Sequence, residues 1–379
     1  MEHSLGALTS AAVAWDQVAI LLLPLPLILA ANWCEAPPPG GSLPARIAQA
    51  IGGLAWLGLG LVAASAFLIA IITLAAAWAA RPGPAGHGLF AAAVVMAASG
   101  MGAVGFLLRS NRDLLARVIP IDPASPVHAT ALVLSVVLVG SQLAGQVATD
   151  VLAQQARSGV ALGPADIVLQ EAPFLVAAIL GVGLVIRRSP AATIRRLGLV
   201  RPSGWQVLLA LGAAGLFYAF GTGADQLSHH LTPGLADKVD AANQRLFGRL
   251  GDPVGIATIA ISAAICEEIL FRGAMQPRLG LVWPAIVFAA IHTQYGLSVD
   301  AVAVLILALG LGLLRRVANT TSAIICHVTY DTLVGVGVGG PWLVPALVLE
   351  AALLLGCLLA LYRLARQPAG RRIESGAEP

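Results

Sequence analysis

Apolar residues run along this chain in long blocks, and polar residues gather in the gaps. About eleven blocks lie near the ~20 residues that a bilayer core demands: 13–32, 47–80, 88–108, 127–152, 170–187, 205–227, 254–278, 281–297, 299–317, 320–339 and 342–363. The pattern predicts an all-α fold, a polytopic transmembrane helical bundle. The block at 47–80 suits one tilted helix with an interfacial extension, or a helix plus a re-entrant piece. A Pro/Gly-rich loop, CEAPPPGGSLPAR (34–46), precedes it, and a longer polar loop fills 228–252. Met1 to Trp15 holds Glu2 and no Lys or Arg, so the basic start of a secretory signal is missing. The first block therefore reads as a retained membrane helix.

Arginines sort the gaps. Arg109, Arg112 and Arg117 follow the third block, and Arg187, Arg188, Arg195, Arg196 and Arg201 separate the fifth from the sixth. Arg315 and Arg316 follow the ninth, and Arg363, Arg366, Arg371 and Arg372 the last. With alternating spans all four clusters fall on one side, the cytoplasm by the positive-inside rule. That places the N-terminus out and the C-terminus in. The expected division is 1–190 as an N-terminal region of about five helices, 191–340 as a core, and 341–379 as a last helix and tail.

Composition narrows the class. Of 379 residues, 58% are hydrophobic and 11% charged, whereas soluble domains carry about 25% charged residues. The mean hydropathy is +0.86. The net charge of +3 is small and its basic residues sit in short loops, which excludes a nucleic-acid-binding stripe. Lys238 is the sole lysine, and the heavy use of Ala, Gly and Arg points to a bacterial chain in the inner membrane. Small residues in SGMGAVG (99–105), LALGLGLL (307–314) and VGVGVGG (334–340) suit close helix packing.

One block breaks the apolar rule. ISAAICEEILFRGAMQPRL (261–279) carries Glu267, Glu268 and Arg272 within six residues. A charge at bilayer depth costs roughly 2.5–3.5 kcal/mol by insertion scales, so it is rare and usually functional. Downstream blocks supply partners: His292 in FAAIH, then His327 and Asp331 in HVTYD. Counting from the arginine side, Glu267 and His292 lie about 16 Å deep and His327 and Asp331 roughly 10–16 Å. Glu268 and Arg272 are four apart, acid first, the favourable order for a helical ion pair. Glu267, turned about 100° away, is left to face other helices. His327 and Asp331 share a face, and Phe288 stacks one turn below His292. A buried Glu beside a His is suited to taking a proton from water. His327 and Asp331 could then support the oxyanion of an attacked peptide carbonyl, Asp331 donating only if protonated and otherwise orienting His327.

EEILFR (267–272), FAAIH (288–292) and HVTYD (327–331) resemble, in order and separation, the motifs EExxxR, FxxxH and HxxxN/D of the CPBP family. These are intramembrane glutamic proteases akin to CAAX prenyl proteases and bacteriocin-processing enzymes. The resemblance covers about 195–340, RRLGLVRPS (195–203) looking like the family's opening segment. It implies an endopeptidase without a cofactor, in which Glu267 activates water and His292 assists. It further implies an oxyanion site of His327 and Asp331, with Glu268, Arg272 and Phe288 supporting, and a peptide or protein substrate reached from the bilayer. Asp331 departs from the Asn of many members, and the first five blocks lie outside the match. Prenylated tails, secreted peptides, bacteriocin precursors and membrane-protein termini are all open as substrates.

Other readings compete. The cluster could be a structural ion-pair network, but two histidines and an extra Glu exceed what one Arg needs. A catalytically silent partner-binding or immunity-type protein would keep the fold. One Glu and two His make an acceptable zinc set, opposed by the adjacent Arg272 and the lack of HExxH. Cys266 and Cys326 neighbour the motifs yet point about 100° away from the adjacent Glu or His. A proton-coupled transporter would use the same groups as a relay, with Asp16, Gln142, Gln146, Asp150 and Glu350 as further candidates. Gln142 and Gln146 suit interhelical hydrogen bonds instead. His229 and His230 suit a solvated loop, and Cys34, Cys266, Cys326 and Cys357 form no disulfide framework.

Overall fold

The computed structural model describes residues 22–35, 43–81, 83–159, 161–337 and 343–365, and among these the regular elements are helices joined by turns and short connections, with one isolated bridge, Leu184 to Arg188. The chain is a multi-pass membrane protein: among the described residues six helices are long and apolar enough to cross a bilayer. Residues 13–21 of the first predicted block, with Asp16, lie outside the described residues, and so do Arg366, Arg371 and Arg372. So does the Glu350 side chain.

The first half opens with α1 (Leu25–Cys34), α2 (Leu43–Ala79) and α3 (Pro84–Leu107). The block at 47–80 is thus one continuous helix. After the short α4 (Arg109–Leu115) comes α5 (Pro126–Ala148), which packs on α2 and α3 through Leu59, Ala63, Ala103 and Val133. Helix α6 (Val151–Arg157) and α7 (Pro164–Gly181) follow. Helix α7 begins six residues before the apolar block that predicted it. Pro164 sits in its first turn, where a missing N–H costs nothing, and the Asp166 carboxylate accepts from Gly163 N at 2.9 Å. It ends early because the chain turns through Gly183 at φ +90°.

The second half runs through α8 (Pro190–Arg196), α9 (Gly204–Leu231) and the amphipathic α10 (Pro233–Phe247). The predicted polar loop 228–252 is therefore largely helical. Next comes α11 (Pro253–Glu268), capped by Asp252 accepting from Gly255 N at 2.6 Å. It passes into a π-helical segment, Ile269–Met275, and then α12 (Gln276–Leu279). Helices α13 (Val282–Ile291), α14 (Val299–Val317), α15 (Thr320–Val336) and α16 (Leu343–Ala365) complete the chain. Helix α16 packs tightly on α9: a Cβ added at Gly212 would meet Cys357 and the Leu353 carbonyl at 2.4 Å.

The eighth block departs most from expectation. Helix α13 stops after ten residues, about 15 Å at the α-helical rise, and the chain reverses through a 3₁₀ turn at Thr293–Tyr295. Irregular backbone at such depth is tolerated where protein buries it. Here α6 and α10 do so: Leu152, Val239 and Ala242 pack with Leu235 and Tyr295. Gln146 Nε2 donates to the Thr293 carbonyl at 3.1 Å and Gln155 Nε2 to the Thr293 hydroxyl at 3.4 Å. Lys238 clasps Asp150 at 2.6 Å, tying the two covering helices together.

Candidate active site

The polar residues of α11, α13 and α15 converge in one buried cluster. Glu268 and Arg272 form the expected ion pair, Nη1 to Oε1 at 3.1 Å, with both side chains essentially sealed. The contact is close but not aligned as a hydrogen bond, and Arg272 Nη1 and Glu268 Oε2 have no hydrogen-bond partner. Arg272 donates through Nη2 to the Ala308 carbonyl at 3.1 Å and lies 4.6 Å over the Phe288 ring. Glu268 Oε1 also accepts from His327 Nδ1 at 3.0 Å. That carboxylate is therefore committed twice.

Glu267 is differently placed. Its Oε1 lies 3.8 Å from His292 Nε2 and its Oε2 4.0 Å from His327 Nε2, too far for direct hydrogen bonds and close enough for one intervening water. His292 Nδ1 is 2.7 Å from the Phe288 carbonyl, which can only accept, so the proton resides on Nδ1. The Nε2 lone pair of the neutral ring then faces Glu267. Phe288 stacks on His292 with centroids 4.5 Å apart, and Asp331 Oδ2 is 3.5 Å from His327 Nε2. All seven residues expected from the sequence, Glu267, Glu268, Arg272, Phe288, His292, His327 and Asp331, share this one cluster.

The π segment explains the local geometry. A wider turn shifts the helix register and frees carbonyls, a feature frequent at functional sites. Here arginines supply the missing donors. Arg315 Nε reaches the Arg272 carbonyl at 3.1 Å, and Arg196 reaches Gly273 O at 3.0 Å and Ala274 O at 3.3 Å. Burial and the neighbouring arginines, Arg278 first, push the Arg196 guanidinium down to about 10. Gln276 Nε2 donates to Gly312 O at 2.7 Å. Gly273 lets α8 approach, since a Cβ there would lie 2.9 Å from the Leu197 carbonyl. In the sequence these arginines signal topology only; their bracing role comes from the fold.

Sequence reasoning missed Glu171. It sits on α7, which packs along α11 and the π segment, ten residues before the helix end at Gly181, so about 15 Å along it. Its charge acts on Glu267, His327 and Asp331, and its Oε2 is buried without a hydrogen-bond partner. A lone acid inside an apolar block was the available signal. Tyr295 was also missed; its ring lies 6.4 Å from that of His292. Cys266 and Cys326 are buried free thiols. Among the described residues, three ligand atoms come within 4.8 Å of one another at Asp225, His229 and Asp240, away from this cluster, where the His229 ring already pairs with both carboxylates.

No curated protein and no solved structure matches the chain. A family model does: that of the Rce1-like type II CAAX prenyl endopeptidases, over residues 250–333. The match spans α11, the π segment and α12 to α15 as far as Leu333, and so contains every residue of the three motifs. It supports CAAX-type endopeptidase activity in a bilayer environment on a peptide substrate. Over this segment the chain is similar to the CAAX-protease family of membrane endopeptidases, the family that the three motifs resemble.

Proposed function

We propose that the chain is an intramembrane endopeptidase of the glutamic type, in which Glu267 activates the attacking water. The observation that carries this is the pair of facing acceptors, Glu267 Oε1 and the His292 Nε2 lone pair, 3.8 Å apart. A water between them donates to both. On attack, the water oxygen bonds to the peptide carbonyl carbon and its proton passes to Glu267. Negative charge develops on the carbonyl oxygen, towards which protonated His327 donates through Nε2. Glu268 holds the other ring nitrogen. Asp331 donates beside it when protonated and orients His327 when ionised. The C–N bond then breaks and Glu267 returns the proton to the leaving amine.

Residues 191–340 form the catalytic core in this reading, with 1–190 contributing α7 and 341–379 the α16 buttress. The inner membrane is the assigned location, with the termini out and in as the arginines indicate. The test is cleavage of a fluorogenic peptide library in liposomes by wild type and by Glu267→Gln, with and without chelator. Cleavage should survive chelation and fall at least about 100-fold in the variant. Loss on chelation would move the mechanism to a metal. Equal cleavage by a well-folded Glu267→Gln protein would remove Glu267 from the chemistry.

A further inference from the structure

We propose that Glu171 forms a subsite for a positive charge on the substrate, a Lys or Arg side chain or a free α-amine beside the bond cleaved. The inference rests on the protease reading for the word substrate, and on the cluster itself for the chemistry. Four carboxyl groups meet there: Glu171 from α7, Glu267 and Glu268 from α11, and Asp331 from α15. One guanidinium faces them, Arg272, and it is already engaged by Glu268, Ala308 O and Phe288. The histidines are engaged too, His292 through Phe288 O and His327 through Glu268. Among the described residues no donor reaches Glu171 Oε2, although it is buried.

A sealed acceptor without a donor costs free energy that a ligand donor recovers. Glu268, whose Oε2 likewise lacks a hydrogen-bond partner, has cationic and donor partners on Oε1: an arginine four residues on and a histidine across the helix interface. Glu171 has no counterpart: positions 167 and 175 are Ile167 and Leu175, and the helix contains no basic residue. Pro173, two residues on, lies inside the continuous helix and brings no donor, so α7 holds no basic side chain to neutralise it. Its field nonetheless falls on Glu267, His327 and Asp331. A carboxyl group whose buried oxygen has no donor, lying electrostatically close to the reacting groups, selects a cation on whatever enters between them. Glu171 lies outside the matched segment 250–333, so this preference is a property that the first half of the chain adds to the core.

The experiment uses N-acetylated decapeptides in which Lys or norleucine occupies each position in turn, plus one free-amine peptide and its acetylated twin. Binding to the purified full chain in detergent is read by fluorescence anisotropy in the cold, and cleavage by mass spectrometry. Wild type should bind and cleave Lys peptides about ten-fold better than norleucine peptides at one position, the size of one charge-assisted hydrogen bond. If the cation is instead the α-amine, the free-amine peptide shows that preference over its acetylated twin. Glu171→Gln should bring the ratio close to one, and Glu171→Asp should keep part of it. A wild-type ratio near one for every pair overturns the proposal, and this arm needs no variant to fold. A ratio undiminished in folded Glu171→Gln overturns it as well. So does a uniform slowing of all peptides by Glu171→Gln with a moved pH optimum, which would mean a proton shared with Glu267. A Lys preference in binding with no cleavage of any peptide would uphold the subsite and defeat the protease reading.

Discussion

Arg272→Met is the perturbation with the largest expected effect on the fold. The guanidinium is 2% exposed, pairs with Glu268 at 3.1 Å, donates to Ala308 O and covers Phe288. Methionine retains much of the volume and loses all three polar contacts. What dominates is the Glu268 carboxylate, 0% exposed and then facing His327 alone. Removing one partner of a buried pair costs about 3–5 kcal/mol. The lost charge-assisted hydrogen bond to the Ala308 carbonyl adds about 1.5–3 kcal/mol and the lost ring contact about 0.5–2 kcal/mol, and neighbouring terms do not sum fully. A net loss of about 4–6 kcal/mol is a large share of a native stability of about 5–15 kcal/mol. Glu268→Gln in the same background removes the unpaired charge while keeping an acceptor for His327 Nδ1. The double variant should therefore recover about 2 kcal/mol, a coupling expected only of residues in one network. Reversible unfolding in mixed micelles of all four proteins measures this cycle. A single-variant loss below about 1 kcal/mol, or a double variant equal to the sum of the singles, would refute a shared buried charge network.

Three further outcomes follow from particular contacts. Asp331→Asn should keep peptide cleavage within about ten-fold of wild type, because the amide supplies a neutral donor 3.5 Å from His327 Nε2, whereas Asp331→Leu should lose it in the same assay. Gly273→Ala should weaken the seat of α8, since the added carbon would meet the Leu197 carbonyl at 2.9 Å; a lowered melting temperature and faster hydrogen exchange over 190–199 would register it. The Asp150–Lys238 clasp should be insensitive to pH from 8 to 5. The Lys238 hydrogen bond, followed by the Ala153 N–H, holds the Asp150 carboxyl below its usual value. Its contribution is then present above the unfolded value of about 3.9 and lost as pH falls through the lower folded value. Hydrogen exchange across 233–247 that rises already at pH 6 would contradict this.

The sequence by itself determined the all-α membrane class and the residues that meet at the site. Both are encoded in contrasts a single chain displays. Blocks of bilayer length need no tertiary information, and a charge inside such a block has to find a partner. Glu268 and Arg272 could be paired from their spacing alone, because helix geometry places them together. Phe288 and His292 follow the same rule. The tertiary structure decided what depends on neighbours distant in sequence. That α13 is a half-length helix followed by a buried turn is set by α6, α10, Gln146 and Gln155 covering it, and apolar content is the same for a half span as for a whole one. That the helix after Glu268 widens into a π segment depends on Arg196 and Arg315 satisfying the freed carbonyls from 77 and 43 residues away. Glu171 was visible as a residue and invisible as a site member, because only the packing of α7 against α11 brings it level with Glu267. Local spacing fixes which side chains share a helix face; which faces meet is a property of the whole bundle.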